Sequence, residues 1–149
     1  MACAFCATGT LGHSGDLYAG EILEQVWHAR QIRPDLCNIV FMGMGEPLEN
    51  YSQVISAIHG LTDPFRFNLA PRGITVSTVG VVSNIERLMV DAPAVKLALS
   101  LHAPTQELRE KIVPTAKAWP LDSLMKAVDK YSNKGGKKKG MVMIEYVVL

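Results

Sequence analysis

Apolar residues recur along this chain in two alternating rhythms. From Gly20 to Arg30 (GEILEQVWHAR), Ile22, Leu23, Val26 and Trp27 fall at helical spacing, whereas Asn38 to Met42 (NIVFM) is a continuous apolar run of strand length. The alternation then repeats. Asn50 to Leu61 predicts a helix with Val54, Ile55, Ile58 and Leu61 on one side, and Gly73 to Ser77 (GITVS) is β-branched and strand-like. Val82 to Val90 predicts a third helix with Ile85, Leu88 and Met89 turned inward, followed by a strand from Val95 to Leu101 (VKLALSL). Thr105 to Ile112 (TQELREKI) predicts a short helix, with Thr105 and Leu108 suited to its start. Pro114 ends that helix, Pro120 opens another through Tyr131, and Met141 to Leu149 (MVMIEYVVL) predicts the last strand.

The order is helix then strand, four times over, after a loop that carries two cysteines. Strands that alternate with helices and are apolar along their whole length predict a parallel sheet covered by helices and joined by right-handed crossovers. An open doubly wound sheet and part of a (β/α) barrel both satisfy the pattern. The chain's 149 residues predict one domain, and no low-complexity tract or linker divides them.

Composition narrows the classes. Apolar residues make up 48% and charged ones 19%, which excludes a disordered polyampholyte, and no apolar run approaches the ~20 residues of a membrane-spanning helix. A soluble protein without a membrane is expected. The net charge of +1 lacks the basic excess usual for nucleic-acid binders, so any RNA contact must be local or made by other parts. Three cysteines without a signal-peptide pattern argue for a reducing compartment in which thiols can bind metal, with the cytoplasm as the expected location.

The chemistry-bearing residues gather after the strands. Each of the three internal strands ends in a polar or glycine-rich stretch: GMGEPLEN from Gly43 to Asn50, STVG from Ser77 to Gly80, and SLHAP from Ser100 to Pro104. In parallel α/β folds the loops at the carboxyl ends of strands converge on one face, where ligands bind. Taken singly, each stretch is ordinary turn chemistry; taken together, they would surround one site. Glu46, between Gly45 and Pro47, places a carboxylate in a loop able to approach a small molecule and receive an amino group. His102 is either a satisfied core histidine or a site residue at a strand's carboxyl end beside Ser100. Lys134 to Lys139 (KGGKKK) lies in a helix-to-strand loop at the opposite end of the strands and is expected to be a solvated turn. Cys37, at the start of an apolar strand, is expected to be a small buried hydrophobe, and His28 and His59 to be surface residues.

Cys3 and Cys6 form a C-x-x-C pair open to three readings: a redox dithiol, half of a zinc site, or part of an iron–sulfur cluster. Zinc lacks a second ligand pair in this chain. A thioredoxin-like dithiol usually opens a helix, whereas ATGTLG follows here and predicts a loop.

CAFCATGTLG, GEILEQV, FMGMGEPLENY, ITVSTVG and LALSLHAP occur in the order and spacing of the radical S-adenosylmethionine methyltransferases of the RlmN and Cfr type, which the chain resembles over essentially its whole length. The resemblance implies a parallel-stranded partial (β/α) barrel, here a truncated set of about four βα units forming a radical SAM core domain over residues 1–149. It implies methylation of C2 of adenosine in large-subunit ribosomal RNA and in transfer RNA, with a [4Fe-4S] cluster, S-adenosyl-L-methionine and an electron donor for the cluster. In the family's C-x-x-x-C-x-x-C signature three thiolates hold the cluster; Cys3 and Cys6 match the second and third. Phe5 matches the aromatic position beside the cofactor, Gly45 and Glu46 the positions that receive its amino group, and Ser77, Ser100, Leu101 and His102 further positions lining it. The family's chemistry is understood to pass through a methylated cysteine that a second cysteine helps to release.

The first cluster cysteine of that signature would stand four residues before Cys3, and Cys37 matches neither the methyl-carrying nor the resolving cysteine. The expectation is therefore a central, monomeric fragment that binds the cluster poorly and does not methylate RNA alone. The competing reading is a non-catalytic S-adenosylmethionine- or nucleotide-binding module on the same fold. A different radical enzyme on this half barrel is disfavoured by the joint presence of GMGEPL, STVG and SLHAP. Ribosomal against transfer RNA, and C2 against C8, stay open on these residues, as does an organellar compartment.

Overall fold

Strands and helices alternate in the computed structural model, which describes residues 3–134 and 142–148. Helix α1 spans Ala19–Ile32, strand β1 Ile39–Phe41, α2 Tyr51–Thr62, β2 Ile74–Thr78, α3 Val82–Asp91 and β3 Lys96–Ser100. The α4 helix follows over Gln106–Ile112, then α5 over Leu121–Asn133 and β4 over Val142–Glu145. Three short 3-10 turns join them, at Thr8–Leu11, Pro71–Gly73 and Pro114–Ala118. Thr105 caps α4 as its position predicts, its hydroxyl accepting the Leu108 N–H at 3.4 Å. The last strand is shorter than the apolar run MVMIEYVVL, because pairing with β3 ends at Ser100, opposite Glu145.

All three strand pairs are parallel, in the spatial order β1-β2-β3-β4. Register places Val76, Leu97 and Val142 in one row and Ser77, Ala98 and Met143 in the next, so successive rows face opposite sides of the sheet. Ile74, Val76, Leu97 and Leu99 pack with Val54, Ile58, Ile85, Leu88, Leu124 and Val128 of the helices in one core. The other face is not covered in the same way: Val40 is 51% exposed and Met143 52%. Full-length apolar strands predicted burial on both faces. The exposure is greatest at the edge strands β1 and β4, which lack a neighbour on one side, whereas Ser77 and Ala98 in the middle of the same face are buried.

Two expectations fail locally. Trp27, placed on the apolar side of α1 by its spacing, is exposed and stands edge-on to His28, because α1 buries Val26 and inclines Ile22 and Leu23 inward. Cys37 is exposed rather than buried, since it precedes β1 at the amino end of an edge strand. Of the run Lys134 to Lys139, the residues after Lys134 lie outside the described residues. Lys134 itself is half-buried with its ammonium 3.1 Å from the centre of the Tyr131 ring, and burial pulls its pKa down to about 8. No helix among the described residues is long and apolar enough to cross a membrane.

Tyr131 fixes α5 to the sheet. Its side chain is fully buried and its hydroxyl donates to the Val95 carbonyl at 2.9 Å, immediately before β3. Tyr131→Phe is expected to cost about 1–2 kcal/mol by leaving that carbonyl without its hydroxyl partner. A urea titration measures this as a lower midpoint with an unchanged slope.

Candidate functional site

The cysteine loop is wound as a tight turn and docked on the far end of α4. Cys6 N–H donates to the Cys3 carbonyl at 3.1 Å, and Ala4 N–H donates to the Ile112 carbonyl at 2.9 Å. The second bond supplies a donor to one of the carbonyls that a helix end leaves open. Both thiols are half-buried, and Gly9 N–H points at Cys6 Sγ from 3.3 Å. Burial, then the neighbouring Cys6, push the Cys3 thiol up, while the Arg109 charge pulls it down. Phe5, between the two cysteines, stands edge-on to the His102 ring with centroids 4.6 Å apart. The C-x-x-C pair and the SLHAP loop, separated by nearly a hundred positions of sequence, thus meet.

The first strand-end loop is folded around a carboxylate. Gly45 has φ +69°, a left-handed conformation that a side chain would strain, and it brings Glu46 under the loop. Glu46 is only 7% exposed; Oε1 accepts the Leu48 N–H at 2.9 Å and Oε2 the Val79 N–H at 2.8 Å. The residue therefore ties the loop after β1 to the loop after β2. Burial raises its pKa, while the two backbone donors and Thr78 oppose that rise. Because the folded value lies above the ordinary 4.5, the folded chain keeps a proton that the unfolded chain has lost. Its contribution is present below 4.5 and is lost as pH rises through the raised folded value. Denaturation of wild type and Glu46→Gln across that interval is expected to show wild type losing stability relative to the variant as pH rises.

At the next strand ends, Ser77 Oγ and Ser100 Oγ both donate to Glu145 Oε2, at 3.3 and 3.1 Å. With both hydroxyl protons committed to one carboxylate oxygen, the patch offers acceptors to a ligand. The Glu145 carbonyl accepts the N–H groups of Leu101 and His102 at 3.1 and 3.3 Å, which pins the SLHAP loop to β4. His102 has φ +62°, costly for a residue with a side chain and sustained here by that pinning. Its Nδ1 accepts the Val147 N–H at 3.2 Å, which leaves the proton of the neutral ring on Nε2. Burial lowers its pKa, so the neutral form is favoured.

Two residues of this neighbourhood carry no signature in the sequence. Glu145 stands at the carboxyl end of β4, and the rule applied to the three internal strands would have found it there; no glycine or proline follows to mark the turn. Arg109 reads as one charge among many in TQELREKI, yet its side chain has no exposed surface. Its Nε donates to the Leu101 carbonyl at 3.1 Å and its Nη2 to the Val79 carbonyl, linking the loops after β2 and β3.

The structure thus brings Cys3, Phe5, Cys6, Gly45, Glu46, Ser77, Ser100, Leu101 and His102 to the carboxyl end of the sheet, around the open mouth of the partial barrel. Cys37, at the amino end, stands apart from them, and His28 and His59 are exposed on helices. A depression of about 180 Å³ lined by Thr75, Lys96, Leu97, Val142 and Met143 lies toward the amino half of the sheet and includes none of the predicted site residues.

As metal donors, Cys3 and Cys6 fit part of an iron–sulfur site: two soft thiols from one turn, one already facing a backbone N–H as cluster sulfurs do. Among the described residues no group of three or more His, Cys, Asp and Glu side chains stands together as a metal site. The pair therefore accounts for two ligands.

Comparison with known proteins agrees with this geometry. A family model described as the radical SAM superfamily matches residues 1–149. The chain is 43% identical over 155 residues to a protein of Corynebacterium glutamicum named a probable dual-specificity RNA methyltransferase RlmN, matching all of this chain and 42% of the relative. It is 43% identical over 153 residues to the dual-specificity RNA methyltransferase RlmN 1 of Myxococcus xanthus, again over all of this chain and 42% of the relative. Among solved structures, a radical SAM methyltransferase from Sphaerobacter thermophilus superposes with a TM-score of 0.89 at 41% identity, covering 99% of this chain and 43% of that one. The chain thus spans about two fifths of the length of the curated relatives it matches. A parallel partial barrel with a cysteine pair at its mouth, matched from end to end by the family model, makes this chain a member of the radical SAM superfamily.

Proposed function

We propose that the chain is the cofactor-binding core of an RNA methyltransferase acting on C2 of adenosine in ribosomal and transfer RNA. The observation that carries the reading is the contact between Phe5 and His102, which sets the cysteine turn against the loop after β3. When bound, the [4Fe-4S] cluster supplies one electron to cleave S-adenosylmethionine. Cys3 and Cys6 would each supply it with a thiolate ligand. Phe5 shields the cofactor's flank from water, and the bare backbone at Gly45 admits its methionine end. Glu46 receives the amino group through the lone pairs that its two backbone donors leave free. Ser77 and Ser100, held by Glu145, present acceptors to the cofactor, Leu101 lines it, and the Nε2–H of His102 donates to it.

The near-neutral charge of these residues gives them no broad basic face for RNA. A polypeptide of these 149 residues alone holds its cluster weakly and transfers no methyl group to RNA. The test is equilibrium binding of S-adenosylmethionine to the anaerobically reconstituted chain, beside the Ser77→Ala/Ser100→Ala double variant. Loss of two hydrogen bonds is expected to weaken binding about tenfold. A reconstituted wild type that binds no cofactor overturns the reading, and cofactor binding without any iron uptake favours the non-catalytic module.

A further inference from the structure

Among the described residues, Arg109 is a buried cation without an anion. Its side chain is wholly inaccessible, and among those residues no carboxylate forms an ion pair with it and no acceptor lies within hydrogen-bond reach of Nη1. The two bonds it makes, through Nε and Nη2, go to neutral carbonyls of Leu101 and Val79. A guanidinium held this way is expensive unless a negative group completes its surroundings.

The neighbouring elements show where that group belongs. Arg109 lies one turn before Ile112, whose carbonyl holds Ala4 between Cys3 and Phe5, so the cysteine loop is seated on the arginine's own helix. On its other side, Leu101 precedes His102, whose ring meets Phe5. Arg109 therefore bonds two strand-end loops from the helix on whose end the cysteine turn is seated. Its charge is felt by Cys3 and by His102 alike.

We propose that Arg109 is the counter-cation of the cysteine loop, its unpartnered Nη1 facing the anionic thiolate–iron assembly that Cys3 and Cys6 hold. The assignment rests on the reading of those cysteines as cluster ligands. Arg109 is a positioning residue: it stabilises the extra electron of the reduced cluster by its charge and keeps the loops after β2 and β3 closed on the cysteine turn by its fork.

The experiment compares wild type, Arg109→Lys and Arg109→Gln in the full 149-residue chain after anaerobic loading with iron and sulfide. Retention of iron against a chelator and the midpoint potential of the cluster are read beside circular dichroism. Arg109→Gln is expected to hold iron about tenfold more weakly, as removal of an outer partner does, and to move the potential to more negative values. Arg109→Lys keeps the charge and is expected to restore the potential toward wild type. Equal retention and potential in wild type and Arg109→Gln overturn the proposal while leaving the cluster reading intact. Losses of equal size in Lys and Gln variants, tracking loss of helix signal, overturn it in favour of a purely structural role. A wild type that takes up no cluster overturns both readings together.

Discussion

Replacing Cys6 with alanine is expected to remove iron–sulfur uptake by the chain while leaving its fold in place. The thiol accepts one N–H, from Gly9, and is half-buried on a turn outside the core, so its loss is expected to cost under about 1 kcal/mol of stability. As a proposed cluster ligand it has no such substitute. An iron–sulfur cluster is held by soft thiolates, and the chain's remaining cysteine besides Cys3 stands at the other end of the sheet. Cys3→Ala is expected to behave alike, and Cys37→Ala to load as wild type does. Iron and acid-labile sulfide per chain after anaerobic reconstitution, beside a melting curve, check the three variants. Undiminished loading of Cys6→Ala would move the cluster to other residues.

Gly80→Ala is expected to be the most destabilising small change near the site, by about 2–4 kcal/mol, from backbone strain and overpacking combined. Gly80 has φ +112°, and a Cβ there would lie 2.7 and 2.8 Å from the two terminal carbons of Leu124 on α5. Its neighbour Val79 gives its N–H to Glu46 and its carbonyl to Arg109, so a shift at Gly80 pulls on both clamps of the site. The melting temperature is expected to fall by roughly 5–15 °C for a chain of this size. A double-mutant cycle separates the causes. In a Leu124→Ala background the steric part vanishes and the strained φ remains, so Gly80→Ala should cost less there than in wild type. Equal costs in both backgrounds would remove Leu124 from the explanation.

Both predictions act on one architectural fact, that the four parallel strands end on one side of the sheet, where the cysteine turn meets the loop after β3. Much of this is legible from residue order. The helices and strands are read from apolar spacing to within a few residues, and the gathering of GMGEPLEN, STVG and SLHAP follows from parallel topology alone. The apolar run after Cys37 reads as buried because it does not show that β1 is an edge strand. Arg109 does not stand out because a lone arginine in a charged helix has the same local signature whether it faces water or the core. Glu145 does not stand out because the apolar residues after it hide the strand's end.

What the sequence by itself determined is the alternation of helix and strand, the parallel sheet and the family to which CAFC, GMGEPLEN, STVG and SLHAP point. Those features are local in the chain, set by periodicity, turn chemistry and motif order. Only the tertiary structure decided which groups touch: Phe5 on His102, both serines on Glu145, Glu46 bridging two loops, and Arg109 buried without an ion pair among the described residues. These contacts join residues from 30 to almost 100 positions apart, as Val79 and Arg109 or Phe5 and His102 are. Hydrogen bonding and desolvation act on distance in space, and it is strand register that converts distance along this chain into distance at the site.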